Sequence, residues 1–193
     1  MRTAVFLFFA AFAAFLVFPH AAAAQSRDYF TDEEVEIIRE AQQLDVRMQV
    51  LAHAMDRRFG VLNIDVAAPG KTKKEDEAWG PLPTGSRLAL LTDIKRIMQK
   101  AVDDVNNLAE RPDSMVVFES DKKEKPLKYS DVFPKAVRNL ATTAARYKPA
   151  LTAELGKTQD KMEQASISDS LEFCDQILEA AAKLPAEVKK TKH

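Results

Sequence analysis

The chain has 193 residues, with 28 Lys and Arg against 29 Asp and Glu, a formal net charge of −1. This balance argues against nucleic acid as a main partner, and only five glycines is few for a turn-rich all-β protein. A single cysteine excludes an internal disulfide.

Residues 1–24 read as a cleaved signal peptide. Arg2 supplies a basic start, residues 4–18 are apolar, and Ala22, Ala23 and Ala24 give the small residues of a cleavage site before Gln25. The apolar run is shorter than the ~20 residues that span a bilayer. Removing the leader leaves 27 bases against 29 acids. The expected product is an exported protein, periplasmic or extracellular, with no transmembrane segment in the mature chain. Residues 25–185 form its single helical domain, and residues 186–193 a frayed Lys-rich tail.

The stretch 31–60 reads as one long amphipathic helix. Thr31 and Glu34 match a capping box, acids gather at the start, and Arg57, Arg58 and Gly60 mark the end. Ile37, Ala41, Leu44, Met48, Leu51, Met55 and Phe59 repeat at steps of four and three. Opposite them, on a continuous helix, lie Val35, Val46, Val50 and His53. Such a face is either covered within the monomer or is a contact surface for a partner or a second copy.

Residues 61–83 interrupt the helical pattern with Pro69-Gly70 and Gly80-Pro81. Val61 to Val66 are candidates for a short strand. Trp79, the only tryptophan, serves either as a loop anchor or as a binding residue. A second helix starts at Ser86 and stops before Pro112. Leu88, Leu91, Ile94, Met98, Ala101 and Val105 are on its apolar side, Asp93, Arg96 and Lys100 on its polar side. A second irregular connection covers 112–128. It contains the apolar run Met115 to Phe118, a conceivable strand partner for Val61 to Val66, and a lysine cluster.

A third helix follows, capped by Ser130 and passing through Pro149 to Gly156. The last begins at Ser166 to Ser168, with Ser166 and Asp169 as its cap, and stops at Pro185. Cys174 shares a face with Ile177 and Ala181 and reads as a small buried hydrophobe. The resulting fold class is all-α: a bundle of about four amphipathic helices with two long irregular connections.

Catalytic signatures are missing from this sequence. The mature chain keeps two histidines, His53 and His193, so a Ser-His or Cys-His site would have to use His53. His-Glu-x-x-His, paired Glu-x-x-His, Cys-x-x-Cys and Gly-rich phosphate loops do not occur. The sequence assigns no metal and no cofactor. It points to a non-catalytic envelope protein that binds or scaffolds another protein, with Val35, Val46, Val50, His53 and Trp79 as candidate contacts. Two alternatives stand beside it: a holdase-type chaperone, and a bundle carrying a ligand or metal through His53, where Asp56 is an i, i+3 neighbour.

Overall fold

The computed structural model describes residues 28–67, 77–111 and 128–186. Residues 1–27, which include the expected signal peptide, the tail beyond 186, and Met115 to Phe118 with the adjacent lysines lie outside the described residues. Those described contain five helices and no strand: α1 (Asp32–Glu40), α2 (Leu44–Val61), α3 (Arg87–Ala109), α4 (Tyr129–Lys157) and α5 (Lys161–Ala182). The bundle is all-helical, as its periodicity requires. None of these helices is long and apolar enough to cross a membrane.

The single helix expected over 31–60 is two. Its start is as read: Thr31 Oγ1 accepts from the Glu34 amide at 3.2 Å, and Glu34 Oε2 accepts from the Thr31 amide at 3.1 Å. The ladder then stops at Ala41, whose ψ of 69° turns the chain out of the helical region. Arg47 Nε reaches back to cap the Ala41 carbonyl at 2.8 Å. On a straight helix Glu34 and Arg58 would stand about 36 Å apart. Here the chain doubles back and the two side chains bond at 2.7 Å. Attraction between the acidic start and the basic end therefore closes a clasp, while Asp32, Glu33 and Glu34 still occupy the first turn of α1 and Arg58 the last turn of α2.

That clasp is buried. Glu34 is 0% and Arg58 1% exposed. Arg57 and Arg58 both donate to Glu34, at 2.7 to 2.8 Å. Arg58 also donates to the carbonyls of Ala54 and Tyr29, and Arg57 to those of Gly80 and Pro81. Asp93 of α3 lies 3.8 Å from Arg58 Nε. This corrects its assignment to a solvated face. One carboxylate thus ties α1, α2 and the 79–81 loop together, and multiple hydrogen bonds offset the desolvation of the charges.

Helices α2 to α5 form the bundle proper. Adjacent in sequence, α2 and α3 run antiparallel, as Arg47 meets Asp104 and Arg58 meets Asp93. The α4 and α5 helices are also antiparallel and share the most extensive helix–helix contact among the described residues. The other two seams are parallel. Asp45 and Ala52 of α2 meet Asn139 and Tyr147 of α4, while Arg87, Thr92 and Lys95 of α3 meet Glu163, Ser166 and Asp169 of α5. Around the bundle the order is therefore α2, α3, α5, α4, with α3 and α4 on a diagonal. Most of the expected stripe is core: Leu44, Met48, Leu51, Met55, Phe59, Leu91, Ile94, Met98 and Cys174 are buried, joined by Leu140, Tyr147 and Leu151 of α4, whereas Ile37 and Leu88 are half-buried and their neighbours Ile38 and Leu90 are buried instead.

Several element ends differ from the sequence reading. Gly60 stays helical, and Asn63 takes the positive φ of 55° instead. Lys128, not Ser130, is the cap of α4, which continues through Pro149 to Lys157. The α5 helix starts at Lys161. Asp160 Oδ1 accepts from the amides of Met162 and Glu163, so Ser166 and Asp169 are interior residues. Val61 to Val66 form no strand; Val61 ends α2, and Ile64 and Val66 are buried in the segment after it.

Candidate functional site

Parallel seams in a bundle leave grooves, and one of them lies between α2 and α4. Four α2 positions line it, Gln49, Ala52, His53 and Asp56, and four α4 positions, Asn139, Thr142, Thr143 and Arg146. Each set repeats at steps of three, one and three, so each is one stripe of one helix. Residues at these positions are small or hydrogen-bonding. With Ala52 and two threonines in place of larger side chains, the helices enclose a cleft of about 380 Å³.

The charged groups of the cleft are organised around Asp56. Arg146 donates from both terminal nitrogens to the Asp56 carboxylate at 3.2 to 3.3 Å, and from Nη1 to the Val66 carbonyl at 3.2 Å. The Tyr147 hydroxyl lies 2.6 Å from Asp56 Oδ1 and 2.8 Å from the Ala52 carbonyl. Two acceptors share its single proton. Burial, reinforced by the Asp56 carboxylate, lifts the Tyr147 phenol well above the ordinary tyrosine range. It is therefore a fixed donor rather than a base. Burial works to lower the Arg146 pKa, but its hydrogen bonds to Asp56 and the neighbouring charge leave it above the usual arginine value.

His53 is 8% exposed and carries the Trp79 ring edge-on against it, with centroids 4.1 Å apart at 89°. The Arg57 guanidinium lies 5.7 Å from the Trp79 centroid. Trp79, itself buried, is thus the anchor that fastens the loop before α3 onto α2. The other candidate contacts are dispersed. Val35 is half-buried on α1, Val50 is half-buried against the core, and Val46 is 42% exposed on α2. The break at Ala41 removes Val35 from the α2 face.

As a ligand pair, His53 and Asp56 are compromised, because Asp56 is already bound by a guanidinium and a phenol. Among the described residues, no group of three or more His, Cys, Asp and Glu side chains is placed to hold a metal. Cys174 is buried beside the Met98 sulfur, 3.9 Å away, and burial, with the Asp175 charge, pushes its thiol up to about 12.

A second groove, of about 410 Å³, follows the other parallel seam between Lys95, Arg96, Lys100, Asp169 and Phe173. Its lysines are already paired, Lys95 with Asp169 and Lys100 with Asp104. The cleft beside His53 was half legible in the sequence, through His53 and Asp56. Asn139, Thr142 and Arg146 were missed. Their signal is a small and polar stripe at 139, 142, 143 and 146 flanking the apolar one. It acquires meaning only when α4 is known to lie beside α2. Comparison with protein-family models, curated proteins and solved structures returns no match.

Proposed function

We propose that this is an exported, non-catalytic binding protein of the cell envelope, processed at Ala24, which engages a protein partner at the α2–α4 cleft. The observation that carries the reading is the commitment of Asp56, Arg146 and Tyr147 to one another. Catalysis requires an acid, base or nucleophile able to change state beside a substrate. In this cleft Asp56, Arg146 and Tyr147 are instead bonded to one another, and His53 packs against Trp79. Exposed Gln49 offers neutral hydrogen bonding beside them, and Thr142 and half-buried Asn139, whose donors are engaged by the carbonyls of Arg138 and Asp45, offer acceptor oxygens. Such a surface suits the polar part of a partner's main chain or amide side chains.

The apolar stripes that a holdase would offer to unfolded clients are used inside the bundle, since Leu44, Met48, Leu91 and Leu140 are buried. Site-specific photocrosslinking in the producing cells tests the reading. A photoreactive residue at Gln49 or Thr142 should yield one discrete adduct, which the same residue at exposed Glu172 on α5 should not. Adducts of equal yield at all three positions, or none at any, would remove the cleft as the contact. Mass spectrometry of the exported protein should give Gln25 as its first residue.

A further inference from the structure

At the opposite end of the helix set from the Trp79 loop, three helices line a small apolar crevice of about 110 Å³. Val102 and Val105 of α3, Val137 and Leu140 of α4, and Ile177 and Ala180 of α5 line it. Val105, Val137, Leu140 and Ile177 belong to the buried core, so these walls are fixed by bundle packing. The remaining two lining residues are the amides Asn106 and Gln176. Gln176 Nε2 donates to Glu172 Oε1 at 3.2 Å, which turns its carbonyl oxygen to the other side. The lining includes no charged side chain.

We propose that this crevice binds the alkyl chain of a small uncharged amphiphile, a primary alcohol or amide, with its polar head at Asn106 and Gln176. Volume, lining and rim each restrict the ligand. A cavity of about 150 Å³ lined by aliphatic side chains takes up a benzene ring or xenon. The crevice is somewhat smaller, which suits the cross-section of a linear chain better than a ring. Its floor offers branched aliphatic side chains, with exposed Ala180, Asn106 and Gln176 at the mouth, so affinity has to come from burying methylenes. A charged head would be desolvated beside amides without a counter-charge, which disfavours a fatty-acid carboxylate.

Methyl-resolved NMR of the purified protein, titrated with straight-chain alcohols, tests this. Hexan-1-ol should shift the methyl signals of Val102, Val137, Leu140 and Ile177 saturably. From butan-1-ol to hexan-1-ol each methylene should tighten binding about four-fold. Hexanoate should bind at least ten-fold more weakly than hexan-1-ol. Ala180→Leu fills the crevice and should abolish the response with thermal stability retained. If that variant fails to fold, Val102→Phe is the second block. Shifts without saturation, no dependence on chain length, or an unchanged response in a folded blocked variant would overturn the proposal. So would methyl shifts that follow protein concentration and are reversed by the alcohol, because the occupant would then be a second copy of the chain. Failure here leaves the α2–α4 cleft untouched, since the two sites share no residue.

Discussion

Arg58 and Glu34, separated by 24 residues, form a two-point ion pair in which neither side chain is more than 1% exposed. The pair exists only because α1 turns back at Ala41, and it is the main covalently remote tie holding α1 to the bundle. Removing one member leaves a buried charge without its partner, which costs far more than the net worth of the pair. Glu34→Ala should therefore destabilise the protein by about 3–5 kcal/mol, a fall of roughly 10 °C in Tm. Urea denaturation measures the first figure and calorimetry the second. A loss under about 1 kcal/mol would mean that water relieves the arginines and the clasp is weak.

Two glycines should respond to alanine with opposite sign. Gly60 is helical, and an added Cβ meets nothing within 4 Å, so Gly60→Ala should stabilise by about 0.5–1 kcal/mol. Gly80 has φ +63°, and a Cβ there would stand 2.6 Å from Glu33 Cδ. The Glu33 side chain is exposed and can swing aside, so left-handed strain sets the cost at about 1–2 kcal/mol. Chemical denaturation of both variants decides it; the same sign for the two would contradict the assigned conformations.

Trp79 reports on the loop it anchors. In the native protein its emission should be blue-shifted, since the indole is 8% exposed and packed on His53. His53→Ala opens space under the ring and should move the emission towards that of the unfolded chain, with far-ultraviolet dichroism still helical. Unchanged emission in a folded variant would show that His53 does not support the indole.

Cys174 should be inert to thiol reagents. With its pKa near 12, about one molecule in ten thousand carries a thiolate at pH 8, and the sulfur is buried. Labelling by an aromatic disulfide should follow global unfolding, accelerating with urea in step with the loss of helix. Stoichiometric labelling of the native protein within minutes would refute the packing of α5 on α3.

Tyr147 should set an alkaline limit. Its phenol is held well above the ordinary value by burial and by Asp56, so the native state keeps its proton when the unfolded chain has lost it. The contribution is fully present below about pH 10 and is lost as pH rises towards the folded value. Stability measured from pH 8 to 11 should decline, and Tyr147→Phe should flatten that decline while costing about 1–3 kcal/mol at pH 8 through the loss of its hydrogen bonds to Asp56, which keeps Arg146, and to the Ala52 carbonyl. Equal slopes for the two proteins would place the loss on other groups.

The parts of this fold that repeat locally were readable from sequence. The Thr31–Glu34 box, the Ser86 cap and the apolar stripes depend on neighbours within a few residues, and each is found in place. The turn at Ala41 was not readable, because Ile37, Ala41 and Leu44 keep a helical phase across it. The buried pairing of Glu34 with Arg58 that stabilises the turn is a tertiary event. Asp93 has the spacing of a solvent-facing residue, yet it meets a guanidinium from another helix. The cap at Asp160 was missed: Asp160 with Glu163 fits the same pattern as Ser166 with Asp169, and only the latter pair was assigned. For the cleft, His53 and Asp56 were visible as neighbours on α2. Arg146 and Tyr147 were not, since no local rule says which helices share a seam.

Glu34 performs two tasks with one carboxyl group: it closes the first turn of α1 and accepts hydrogen bonds from two guanidinium groups. Aspartate would be too short to reach both, and glutamine would lose the charge. Positions 31, 34, 57 and 58 therefore cannot drift independently. In any descendant of this chain that keeps the back-folded start, a change at one of them should be accompanied by change at the others.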